Sequence, residues 1–359
     1  MRSTVPENTV TVNTVIVAER EIGQLIELLR AEPGFERAEL ASPPQPLSGG
    51  FWASMSVVRL ANVAPPADTL VLRVMPDPAL AAKETLFQRE IARQGFPVPA
   101  VRLTGGADAG VGGAFMLMDL APGEPALAGL DGIAALRRLP ALAYRLPDTL
   151  GHVTAALHAI DPAPLRNVLA DADVSAPSDA PAFLAFLSES ADQLGRADLH
   201  GAAASLAAHP PSARRQVIAH GDLHPFNLLI DEQRWTLLDW TTALIAHPAY
   251  DLAFTTLMLR HPPLAAPAQL RPAITAAGAI LARRYRNAYR RYGGTIPDQQ
   301  TLAWYASLHA LRILVELQSQ RQDSTRSGHG FHFHPWTAVG PVAARVLART
   351  TGTTIRPPN

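Results

Sequence analysis

Along the chain the apolar positions first repeat with a helical period. Ile22, Leu25, Ile26 and Leu29 fall at i, i+3, i+4 and i+7 between Glu19 and Arg30, which predicts an amphipathic helix stopped by Pro33 and Gly34. The period then drops toward two. Ala38 to Leu47, Met55 to Leu60, Thr69 to Met75, Val101 to Thr104 and Ala114 to Asp119 read as strands between Gly, Pro, Asn and Asp turns, with the first broken by prolines. One helix, Pro78 to Gln94, interrupts them.

From Pro122 onward Ala/Leu-rich helical segments dominate: Pro147 to Ile160, Pro181 to Leu194, Pro272 to Tyr292 and Gln299 to Gln320. Ala121 to Pro125 carries two prolines and a glycine and marks the hinge. The expected organisation is a flexible leader over 1–16, an N-terminal unit over 17–120, a helical C-terminal unit over 121–352 and a tail over 353–359. Within the helical part only Val217 to Trp240 looks extended.

Composition narrows the field. With 31 basic and 31 acidic side chains the formal charge is zero, which gives nucleic acid or an anionic membrane no footing. The longest apolar runs fall short of the 18 or so residues of a bilayer span, and no secretory signal is legible, so a cytoplasmic enzyme is expected. The chain has no cysteine, which removes disulfides, thiol catalysis and thiolate metal sites. All basic residues but Lys83 are arginine, so a mechanism that needs lysine has one choice.

The chemistry concentrates in His220-Gly-Asp-Leu-His-Pro-Phe-Asn227 and the following Trp235-Thr-Leu-Leu-Asp-Trp240. If Leu228 to Ile230 folds back on Trp235 to Leu238, Asn227 comes opposite or nearly opposite Asp239. An amide and a carboxylate side by side, with Asp222 one loop away, offer the oxygens that a hard cation such as Mg²⁺ takes, and leave one carboxylate to accept a proton. Those are the parts of a phosphoryl-transfer site.

Here the sequence resembles the aminoglycoside phosphotransferase-like branch of the protein-kinase fold, with His-Gly-Asp in place of His-Arg-Asp and Asp-Trp in place of Asp-Phe-Gly. The resemblance implies that Asp222 is the catalytic base, that Asn227 and Asp239 hold Mg²⁺, and that His220 buttresses the loop. It further implies that Asp251, in Pro248-Ala-Tyr-Asp-Leu-Ala253, braces that loop. It covers roughly Ala38 to Tyr292.

The same resemblance gives the N-terminal unit a nucleotide. Ser48, Gly49 and Gly50 form a glycine-rich turn where main-chain amides can approach phosphates; taken alone, they are equally an ordinary hairpin turn. On the third strand a kinase carries a lysine, and this chain has Arg73 in Leu70-Val-Leu-Arg-Val74. Arginine is permanently charged and forks onto phosphate or carboxylate oxygens. Its acidic partner is expected at Glu90, mid-helix, with Glu84 as second choice. Met118 and Leu120 would line the adenine edge at the hinge.

One stretch is open to several readings. Gly328 to Trp336 alternates histidine with aromatic residues and fits a zinc site, an acceptor wall or a packed interhelical loop, the last being favoured. His158 reads as a helix-packing residue. The sequence therefore predicts an α+β, two-lobed protein-kinase-like fold: a small antiparallel sheet, then a larger helical lobe, with the active site in the cleft. The expected activity is Mg²⁺-dependent transfer of the γ-phosphoryl group of ATP or GTP to a hydroxyl of a small molecule. Acidic residues are scattered through the helical part, so no polycationic acceptor is implied. Two alternatives stand beside it: an impaired nucleotide-binding pseudokinase, and a hydrolase with a metal on His220, Asp222 and His224.

Overall fold

The computed structural model describes residues 19–47, 53–127, 132–212, 215–263, 268–327 and 336–356. The expected leader, Ser48, Gly49 and Gly50, and the histidine stretch over 328–335 lie outside them. The chain divides into two compact units, Met1–Ala92 with Val98–Ala121, and Arg93–Pro97 with Pro122–Asn359.

The first unit begins with α1 (Glu19–Arg30), whose Ile22, Leu25, Ile26 and Leu29 are all buried. Then come β1 (Glu39–Leu40), β2 (Gln45–Pro46), β3 (Ser54–Ala61), β4 (Thr69–Met75), α2 (Pro78–Arg93), β5 (Val101–Gly105) and β6 (Ala114–Asp119). The sheet runs β1-β3-β4-β6-β5, with β2 also on β3 and every pair antiparallel. The run expected as one strand over 38–47 is split by its prolines into β1 and β2, both paired to β3.

Strand β4 is buried from Leu70 to Met75 because both its faces are covered. Leu70, Leu72 and Val74 pack with the apolar stripe of α1. One residue out of phase, Met75 joins Ala81 of α2 in a smaller cluster, so the two-residue period of a strand puts Arg73 on the α2 side. Asp77 caps α2, accepting from the Ala79 and Leu80 amides at 2.9 and 3.2 Å.

The second unit is mainly helical. It holds β7 (Glu124–Pro125), α3 (Gly132–Leu157), α4 (Ala163–Asp171), α5 (Ala180–Gln193), α6 (Ala197–Ala208), β8 (Val217–Ala219), β9 (Leu228–Asp231), β10 (Arg234–Leu237) and β11 (Leu244–Ala246). The chain continues with α7 (Ala249–Arg260), α8 (Arg271–Arg291), α9 (Gln299–Ser327) and α10 (Trp336–Thr351). Its core gathers α5, α6, α7, α9 and α10 around β8 and β11.

Several expectations change here. The segment read as a hinge contains β7, which pairs Glu124 with Ile230 and Pro125 with Leu229; proline is tolerated because β7 is an edge strand of the β10-β9-β7 sheet. Helix α3 starts fifteen residues before Pro147. Pro147 has no N–H for the Ala143 carbonyl, and Arg284 Nη1 supplies the missing donor at 3.2 Å while its Nη2 binds Tyr144 O at 2.8 Å. Gly151 lets α8 come close: a Cβ there would sit 2.7 Å from the Tyr289 amide. The residues expected as a tail are packed up to Arg356, with Ile355 buried in the helical core and the Arg356 amide on Asp198 at 2.9 Å. Among the described residues no helix is long and apolar enough to cross a membrane.

Candidate active site

The loop from β8 to β9 carries the functional side chains, and its backbone is pinned from several sides. Gly221 has φ of 76°, and a Cβ there would meet the Tyr250 ring and lie 2.7 Å from Thr242 O, so only glycine fits. The buried Asp251, in the first turn of α7, accepts from the Gly221 amide at 2.6 Å and the His220 amide at 3.0 Å. His158 Nε2 bonds the same carboxylate at 3.0 Å while its Nδ1 meets Tyr289 Oη at 2.9 Å. His158 thus packs between helices, as expected, and also orients Asp251. Thr242 and Thr255 donate to the carbonyls of His220 and Leu223 at 3.0 and 2.8 Å.

His220 is completely buried. Its Nε2 reaches the Leu238 carbonyl at 2.9 Å, which can only accept, so Nε2 carries the proton and Nδ1 accepts the Asp222 amide at 3.2 Å. Burial pushes its pKa down, against the pull of Asp251 and Asp222. With both nitrogens committed, His220 has no lone pair for a metal. Among the described residues no group of three His, Cys, Asp or Glu side chains could hold a metal ion. The hydrolase alternative loses its ligand set on these two observations.

Asp222 is held by three side chains. Its Oδ1 accepts from Arg312 Nη2 at 3.0 Å, and its Oδ2 accepts from Asn227 Nδ2 at 3.1 Å and lies 3.3 Å from His224 Nε2. Burial by itself raises its carboxyl pKa, but His224, Arg312 and His220 outweigh that and hold it well below the usual carboxylate range. Burial lowers His224, and the Asp222 charge more than offsets it, leaving its pKa raised.

The hairpin delivers the second carboxylate. Leu228 pairs with Leu237, and the Leu238 amide donates to the Asn227 carbonyl at 2.9 Å, so Asp239 follows directly on the residue opposite Asn227. The structure thus gives the near-opposition expected from the sequence. Asn227 spends both amide hydrogens on Asp222, on its main-chain O at 3.0 Å and on Oδ2. Its Oδ1 has no hydrogen-bond partner among the described residues. Asp239 has φ of 63° and takes the Thr241 hydroxyl on Oδ1 at 2.6 Å. An amide oxygen left over beside a turn-held carboxylate suits Mg²⁺, which favours oxygen donors and keeps places for phosphate and water.

In the first unit, Arg73 lies in register with Met55 and Met116, and its Nη2 is 3.5 Å from Glu84 Oε2. Both side chains are buried. Glu90, expected from the sequence ahead of Glu84, is also buried on α2, about 9 Å further along the helix axis. Lys83 sits on α2, off the strand, and burial lowers its pKa to about 8. Met118 Sδ accepts from Gln88 Nε2 at 3.5 Å. Leu120 is exposed, and its amide is bonded to Thr69 O at 3.2 Å.

A sequence model of the phosphotransferase enzyme family matches residues 45–294. The chain belongs to that family. A search of curated proteins gives no match. Among solved structures, a protein from Ralstonia eutropha assigned as an aminoglycoside phosphotransferase is 20% identical, with a TM-score of 0.62 over 92% of this chain and 97% of its own. A macrolide 2'-phosphotransferase of type I is 17% identical, with a TM-score of 0.53 over 96% and 99%. The GDP complex of an aminoglycoside 2'-phosphotransferase mutant is 17% identical, with a TM-score of 0.54 over 91% and 98%. At such identities the likeness shows the fold: this phosphotransferase has the α+β, protein-kinase-like architecture.

What the sequence did not reveal in this phosphotransferase is the group on the far side of Asp222. Arg312 of α9, 90 residues downstream, is 2% exposed and reaches both Asp222 and the Gly221 carbonyl, the latter at 3.2 Å. Glu316, one turn on, lies 3.7 Å from Arg312 Nε and accepts from Trp336 Nε1 at 2.8 Å. A charge inside the apolar run from Leu308 to Leu317 was the available signal.

Proposed function

We propose that this chain is a small-molecule kinase that transfers the γ-phosphoryl group of ATP or GTP to a hydroxyl group. The observation that carries the reading is the Asp222–Asn227 pair: an ionised carboxylate that takes one hydrogen of an amide, whose other hydrogen binds the Asp222 main-chain oxygen and whose own oxygen is left for a cation. The reaction is ROH + NTP⁴⁻ → ROPO₃²⁻ + NDP³⁻ + H⁺. Asp222 accepts the hydrogen bond of the acceptor hydroxyl and orients its oxygen toward the γ-phosphorus. The proton leaves as the new O–P bond forms and the bond to the leaving diphosphate breaks. Asn227 and Asp239 would hold Mg²⁺, which when bound neutralises phosphate charge.

Arg73 takes the phosphate-binding role that lysine has in kinases. Its ion pair with a carboxylate of α2 supports an active enzyme over an impaired one, because the cation-carboxylate arrangement survives the exchange. By the resemblance of the sequence, Ser48, Gly49 and Gly50, which lie outside the described residues, are assigned to the phosphates, and Met118 and Leu120 to the base. The related structures are named for aminoglycoside and macrolide acceptors, and the acceptor proposed here is the class these share: an alcohol on a small molecule. The test is incubation with γ-labelled ATP and GTP, Mg²⁺ and a panel of hydroxylated compounds, with Asp222→Asn as control. Label should move to an acceptor with wild type and not with the variant; equal transfer by Asp222→Asn would remove the assigned base.

A further inference from the structure

A carboxylate offers about four acceptor positions on its two oxygens. At Asp222 three are filled. Oδ2 receives Asn227 Nδ2 at 3.1 Å and faces His224 Nε2 at 3.3 Å, while Oδ1 receives only Arg312 Nη2 at 3.0 Å among the described residues. One position remains, on Oδ1, and it is the oxygen that Arg312 grips. We propose that Arg312 is the positioning residue for phosphoryl transfer, holding Asp222 Oδ1 so that its remaining lone pair receives the acceptor hydroxyl. The inference rests on Asp222 being the base.

The guanidinium is built for that task. Its fork spans the carboxylate with Nη2 and the Gly221 carbonyl with Nη1, at 3.0 and 3.2 Å, so one rigid plane fixes the base side chain and the main chain beside it. Arg312 is itself immobilised. Its guanidinium carbon lies 4.9 Å from the Phe254 ring centre and 5.9 Å from that of Trp336, and Glu316 flanks Nε at 3.7 Å. Trp336 in turn donates to Glu316 at 2.8 Å. A relay of packed groups therefore runs from α10 through α9 to the catalytic loop. Lysine cannot replace this geometry, since a point charge on a flexible stem makes neither the fork nor the stack.

The experiment follows γ-phosphoryl loss from Mg²⁺-ATP and Mg²⁺-GTP in wild type, Arg312→Met, Arg312→Lys and Arg312→Ala, with water as acceptor and nucleotide KM measured alongside. Misplacing Oδ1 should lower kcat of Arg312→Met on the order of 100-fold while nucleotide KM stays within about twofold. Arg312→Lys should recover little of the rate, and free guanidinium ion should raise that of Arg312→Ala at least about tenfold, which a merely structural arginine would not show. If the Arg312 variants fail to fold, Glu316→Gln carries the test, with kcat reduced at least about fivefold and KM unchanged. A folded Arg312→Met with wild-type kcat, or a wild-type Glu316→Gln where the former does not fold, overturns the inference and leaves the proposed function standing. A wild-type protein that releases no γ-phosphoryl group to any acceptor overturns the function itself.

Discussion

Replacing Asp251 by asparagine would change one atom and disturb the base of the catalytic loop. The carboxylate accepts three hydrogen bonds in the buried interior, from the Gly221 amide on Oδ1 and from the His220 amide and His158 Nε2 on Oδ2. All three partners are placed as donors. The new amide group must present its NH₂ to at least one of them, and the least harmful choice faces it toward Gly221, keeping the two bonds at the other oxygen. One buried N–H then loses its acceptor, at about 1–3 kcal/mol, and two charge-assisted bonds become neutral, at about 1 kcal/mol each. Asp251→Asn should therefore lose about 3–5 kcal/mol, a fall in Tm on the order of 10 °C for a unit of this size. Differential scanning calorimetry of both proteins checks it. A Tm within about 2 °C of wild type would refute the reasoning, because it would mean that the charge of Asp251 does not hold the loop.

Gly221→Ala should be destabilised by about 2–5 kcal/mol, the sum of left-handed backbone strain and the collision with Tyr250 and Thr242, and should lose turnover; wild-type denaturant midpoint and rate would contradict it. Ile355→Ala should cost about 2–4 kcal/mol in chemical denaturation, since Ile355 fills the helical core; no loss would return these residues to a loose tail. Asp198 titrates with a definite sign: hydrogen bonds from Arg196, helped by the Arg356 amide, hold its pKa down to about 2, below its ordinary 3.8. A depressed folded-state pKa stabilises above the unfolded value, so about 2 kcal/mol present at neutral pH should fade as pH falls from about 4 toward 2. The stability difference between wild type and Asp198→Asn should shrink over that range, and a difference constant with pH would sink the assignment.

The parts of the fold that could be read from the sequence are those where a single physical signal was strong and local. Helix α1 shows its full apolar stripe, and β4 and β6 are apolar runs bounded by turn residues, so their ends fall where expected. Asp222, Asn227 and Asp239 are close in sequence, and a hairpin register is enough to bring the last two together. Helices α4, α6, α7 and α10 were missed: α6 is rich in alanine and α7 is buried almost all round, so neither shows a clear polar face, while the apolar stripe of α10 over Val339, Ala343, Ala344 and Leu347 is masked in the sequence by Pro341. The start of α3 was hidden because Pro140 and Pro147 read as breaks, and the carbonyl that Pro147 leaves without a donor is met by Arg284, from a helix far along the chain. Strand β7 exists only through its partner β9. Arg312 is the same kind of case, since nothing near it in sequence says that its charge is matched by Asp222. That Glu84 comes within 3.5 Å of Arg73 depends on how α2 packs on the strand, a tertiary fact.

The most direct test of phosphoryl transfer at this site is titration calorimetry of ATP and GTP, with and without Mg²⁺, into wild type and Asp239→Asn. Saturable binding of at least one nucleotide is expected, needing Mg²⁺ and weakening at least about tenfold in the variant through the loss of one metal ligand. Binding of neither nucleotide, or binding indifferent to both Mg²⁺ and the substitution, would contradict it.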